Sequence, residues 1–173
     1  MHASVPRGRL VMLCLALCLI LPLSAAQAAG IYRAFFSFTL GMPLEVFLST
    51  TPAEEIAHRE DERTFGVRGD GADVQGVTVT FTDERLSRLE AVYSAEFSAR
   101  MSWTSFVETA TRKYGTGFHL PTPGGDVEMW DDGYTTLTLE RRPAPRGPTY
   151  ALTLADDAVA LERSSRCEPR LEV

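Results

Sequence analysis

The plainest pattern in the chain is an alternation near its middle. Val77, Val79 and Phe81 alternate with Thr78, Thr80 and Thr82, the period of a half-buried strand. After a turn at 83–85, a second strand reads over about 86–97. Leu89, Ala91, Tyr93, Ala95 and Phe97 fall on one side, and Arg88, Glu90, Ser94 and Glu96 on the other. Together they predict a hairpin. The period then changes. Trp103, Phe106, Val107, Ala110 and Tyr114 recur at helical spacing, with Ser102 placed to cap the helix and Gly115 to end it. That aromatic stripe is what burial against a sheet requires.

The flanking segments are less regular. Gly41 and Pro43 open a short helix whose Leu44, Phe47 and Leu48 share a face. Thr51 and Glu54 have capping-box spacing, which predicts a second short helix over 51–60. Residues 58–73 are charged and glycine-rich and read as a solvated loop. Residues 119–125, HLPTPGG, read as another loop. A last strand carries Tyr150, Leu152 and Leu154 on one face, and a short helix begins near Asp156.

Residues 128–139, EMWDDGYTTLTL, invite two readings. Asp126, Glu128, Asp131 and Asp132 form either a metal site or a turn. A three-residue loop, Asp131-Asp132-Gly133, pairs Val127 with Leu137 and Met129 with Thr135, and puts Leu139 on the same apolar face. A two-residue loop Asp132-Gly133 would instead set Glu128 opposite Leu137 and mix the faces. The aspartates therefore serve turn geometry, and no metal or cofactor is expected. In this register Trp130 and Tyr134 lie together on the opposite face.

The element order is helix, two strands, helix, three strands. It predicts an α+β fold with helices packed on one face of an antiparallel sheet. Two similar halves, 41–97 and 102–154, would each hold a helix and a hairpin within one domain, 29–173.

The N-terminus changes the picture of compartment. Arg7 and Arg9 precede an apolar run over 10–23, and Ala26 and Ala28 complete an A-x-A ending. This describes a secretory signal peptide over 1–28, for a periplasmic or secreted protein. The alternative is an uncleaved N-terminal anchor, although the run falls short of the ~20 residues a membrane span needs. Removing two arginines and no acid takes the formal charge from −6 to −8. That balance argues against nucleic acid or an anionic membrane surface as partner. One cysteine, Cys167, then remains, in a polar tail that starts near 164. A disulfide within one chain is ruled out. Cys167 reads as a free thiol, with an intermolecular disulfide as the alternative.

The stretch LGMPLEVFLSTTP (40–52) resembles the Gly-Met, helix, Pro opening of the SmpA/OmlA (BamE-like) family of small envelope proteins. The beta-lactamase inhibitor protein has a related tandem architecture. The resemblance implies helices packed on an antiparallel sheet and a binding or scaffolding role rather than an enzyme. This chain lacks that family's lipoprotein cysteine.

Two function classes stand. The first is an exported binding module for a protein partner, with Trp130 and Tyr134 as its candidate contact residues. One sheet face should stay open in so small a protein, and these are residue types that dominate interfaces. The second is a small hydrolase or ligand-binding domain. His58 and His119 sit in no metal-ligand pattern, and neither a G-x-S-x-G nor an H-E-x-x-H motif is present. An enzyme is therefore not expected.

Overall fold

A computed structural model describes residues 30–159, apart from 70, 124 and 146. The expected signal peptide over 1–28, the expected polar tail and Cys167 lie outside the described residues.

Ten strands and three helices with both ends described are present, and a further helical segment covers 157–159, where a helix was expected near Asp156. The short strands β1 (Ala34–Phe35) and β2 (Phe38–Thr39) pair with each other. Helix α1 (Leu44–Thr50) follows, then β3 (Glu54–Arg59), β4 (Glu62–Arg68), β5 (Val74–Thr82) and β6 (Arg85–Tyr93). Helices α2 (Ala95–Arg100) and α3 (Trp103–Tyr114) lead into β7 (Phe118–Thr122), β8 (Gly125–Asp131), β9 (Thr135–Arg142) and β10 (Thr149–Asp156).

Strands β3 to β10 form one eight-stranded antiparallel sheet in the order β3-β4-β5-β6-β10-β9-β8-β7. It is two consecutive meanders joined at their last strands. Leu89 of β6 stands opposite Leu154 of β10 at the seam.

The expected α+β class is corrected. The protein is mostly β, and its fully described helices hold only seven, six and twelve residues. The reason lies in two segments. Residues 51–60 do not form a helix. Thr51 is the extended C-cap of α1, and β3 pairs with β4 where a helix and a solvated loop were expected. Strand β4 puts Phe65 into the core at 2% exposure, a pattern hidden by its charged neighbours. Likewise part of the expected loop at 119–125 is strand β7. The second strand of the central hairpin also stops at Tyr93, because Ser94 caps α2 by accepting the Phe97 N–H.

One face of the sheet meets the core. Phe47 of α1 touches Phe38, Phe65 and Phe81, with ring centroids 5.8, 5.5 and 5.1 Å away. Towards β10, Phe106 stacks on Tyr150 at 5.6 Å and meets Tyr93 edge-on at 5.2 Å. Trp103 packs on Tyr150 at 5.5 Å. The aromatic stripe of α3 thus packs on the sheet, half-buried, around Tyr150 and Tyr93.

Candidate interaction surface

The sheet register decides which residues can act together. A cross-strand row on the core side runs Glu55, Phe65, Val79, Leu89, Leu154, Leu137 and Trp130. The neighbouring row points the other way, since successive side chains alternate across a sheet. It runs unbroken through all eight strands: Glu54, Gly66, Thr78, Glu90, Thr153, Thr138, Met129 and Phe118. The ring contacts from the helices and from Phe38 all land on the first side.

The second side has a graded character, and at its centre Ala151 and Thr153 lie low between longer neighbours, 1% and 8% exposed. Its centre is made of threonines and small residues, crossed by one ionic network. Arg142 donates to Glu90 at 2.7 Å and to Glu140 at 2.6 Å, and Arg88 approaches Glu90 at 4.0 Å. The two carboxylates hold the Arg142 guanidinium above its usual pKa, the hydrogen bond to Glu140 most strongly. At the β7–β8 end the surface turns apolar. Phe118 pairs with Met129 and Leu120 with Val127. Phe118 is 63% exposed and Leu120 46%.

Trp130 and Tyr134 do not share that surface. The hairpin takes a different register from the expected one: Trp130 pairs with Leu137, Asp131 with Thr136 and Met129 with Thr138. Its loop is Gly133-Tyr134, with Gly133 at φ 83°. Asp132 sets this turn. Its Oδ1 accepts the N–H groups of Tyr134 and Thr135, while Oδ2 accepts the Ile31 N–H. Trp130 is consequently a core residue, 3% exposed, whose Nε1 donates to the Gly115 carbonyl at 2.8 Å. Tyr134 is 68% exposed at the loop. Glu128 does face a core leucine, Leu139. The position is tolerated near the sheet edge because His119 meets Glu128 at 2.6 Å.

The four carboxylates of this region diverge. Asp131 and Asp132 hold the turn, Glu128 holds His119, and Asp126 pairs with Arg141 at 3.3 Å. Among the described residues no three His, Cys, Asp or Glu side chains gather to hold a metal ion. His58 lies 3.5 Å from Glu55 on the edge strand β3. A shallow cleft of about 530 Å³ between Thr122, Asp126, Arg141 and Pro148 contains one ion pair, already spent on itself. No described helix is long and apolar enough to cross a membrane.

Sequence reasoning missed Phe118 and Leu120, which stand one residue apart just before Pro121. Their alternation was the available signal, and the neighbouring glycines and prolines obscured it. Val127 and Met129 were recognised as a pair but assigned to the core side. The chain matches no family model, and no curated protein or solved structure matches it.

Proposed function

We propose that this is an exported interaction module that meets a protein partner on the open face of its sheet. The observation that carries the reading is the uninterrupted outward row from Glu54 to Phe118. An apolar cluster at one end of a polar, pre-paired surface is the composition of an interface hot spot with its surround. Export rests on the basic start, the short apolar run and the A-x-A ending. The role also agrees with the binding or scaffolding implied by the resemblance to SmpA/OmlA-like envelope proteins. No clustered catalytic groups among the described residues favour the hydrolase reading.

The test is site-specific photo-crosslinking in the native host. A benzophenone side chain at position 118 should give a discrete protein adduct. The same probe at Val46, exposed on the helix side, should give none. Absence of an adduct at 118, 120 and 138 alike would overturn the reading.

A further inference from the structure

We propose that the open face of the sheet is the interface of a face-to-face dimer with a second copy of this chain. The inference rests on the reading of that face as an interaction surface and names its occupant.

Size is the first argument. Eight strands spaced by ~4.8 Å, with about seven residues rising ~3.3 Å each, give a face of roughly 35 by 23 Å, or about 800 Å². That is about what one partner contributes to a standard protein–protein interface. A small ligand would leave most of it bare.

The sheet edges supply the second argument. Strand β3 carries Glu54, Glu55, His58 and Arg59, and its register shifts between Glu55 and Ala57. Strand β7 contains Pro121, which has no N–H to offer, and Pro123 follows it. Charges, a bulge and edge prolines are the devices that block addition of a further strand. Contact is therefore made face-on.

Charge is the third. The chain has a formal charge of −6, so two copies repel over most of their surfaces. On the open face the central charges balance only as a set of four, Arg142 with Glu90 and Glu140 and Arg88 beside Glu90. Two identical copies meet there without stranding a charge. The apolar end is self-complementary. A two-fold axis perpendicular to the strands lays the β7–β8 pair of one copy over that of the other. Phe118 then lies over Leu120 of the second copy and Met129 over its Val127, with the sheets about 10 Å apart.

Sedimentation equilibrium of residues 29–173 tests this. The wild type should show a concentration-dependent monomer–dimer equilibrium. Phe118→Glu and, separately, Thr138→Arg at the middle of the row should each raise the dimer Kd at least about tenfold. Val46→Glu should not change it. Near-UV circular dichroism and the melting midpoint show that each variant is folded, and two distant substitutions guard against the loss of either. A wild type that stays monomeric at high micromolar concentration overturns the proposal. So does a dimer that persists in both folded variants. A monomer that still crosslinks from position 118 to a different protein overturns the dimer and leaves the reading of the face standing.

Discussion

The Ile31 backbone N–H donates to the Asp132 carboxylate at 2.7 Å, across a separation of 101 residues. One side chain thus holds the β8–β9 turn and the start of the described chain together. Nearby, Arg33 pairs with Asp156, and Lys113 sits over the Tyr32 ring at 5.4 Å. The segment runs from these contacts with α3 and the second meander to the β1–β2 hairpin, where Phe38 meets Phe47 of α1. It straps the two halves of the sheet.

That contact makes an acid-sensitive prediction. Burial alone would push the Asp132 carboxyl up, but the N–H groups of Ile31, Tyr134 and Thr135, with the charge of Arg33, outweigh it and hold its pKa below the usual value. A depressed carboxylate contributes stability above its unfolded pKa of about 4, and the contribution is lost as pH falls through the lower folded value. Asp132→Asn should therefore flatten the acid limb of the stability curve. Asp132→Ala should cost about 1–3 kcal/mol at neutral pH through its orphaned donors. Urea denaturation at a series of pH values checks both. Identical acid limbs for wild type and Asp132→Asn would sink the assignment.

Trp130 carries the second prediction. Its indole fills a slot that exists only because residue 117 is glycine. A Cβ at Gly117 would stand 2.7 Å from Trp130 Cε2 and 3.0 Å from the Met129 carbonyl. Gly117→Ala should cost about 1–3 kcal/mol by overpacking, and Trp130→Ala about 3–5 kcal/mol by cavity formation. Iodide should quench Trp130 fluorescence weakly in a Trp103→Phe background. Strong quenching would mean that the indole is outside the core.

The same residue shows what the sequence could and could not disclose. The alternation at 77–82 and the helical spacing at 103–114 are strong periodic signals, and both elements form. Edge strands carry only a faint one, such as the alternation of Phe118 and Leu120 in β7. Every residue of β3 and β7 is exposed, so burial imposed little pattern on them. The β8–β9 register failed for a different reason. Local face-sorting penalised a glutamate opposite a core leucine, whereas the fold pairs Glu128 with His119 and gains a buried tryptophan. That trade depends on β7, which the sequence did not announce.

Tyr93 yields an alkaline prediction. Burial, reinforced by Asp73, pushes its hydroxyl pKa up to about 12. A raised value means that the folded state keeps the proton more tightly. The stability it contributes is present below the ordinary tyrosine value of about 10 and is lost as pH rises from there through about 12. Tyr93→Phe should remove this loss, seen as a flatter fall in melting midpoint over that window. Ultraviolet titration should show an ionisation near pH 12 that Tyr93→Phe removes. Identical high-pH titration curves for wild type and Tyr93→Phe would contradict the buried placement.

The pair formed by Glu128 and His119 carries the last prediction, because the two partners are not equally replaceable. The Glu128 side chain is 15% exposed and faces Leu139 on the core side, whereas the His119 side chain is 52% exposed. Removing the histidine leaves a largely buried carboxylate without its hydrogen bond, so His119→Ala should cost about 1–3 kcal/mol. Replacing the carboxylate instead removes the group that needs a partner. Glu128→Leu extends the apolar row beside Trp130 and Leu137, and a half-buried polar pair exchanged as a unit for packed hydrocarbon is commonly neutral or favourable. We expect Glu128→Leu to leave stability unchanged or to raise it by about 1 kcal/mol, and His119→Ala to become nearly silent in that background. Denaturant midpoints of the two single variants and the double variant give the answer. If Glu128→Leu destabilises as much as His119→Ala, the carboxylate is holding something besides the histidine, and its assignment to the core side is wrong.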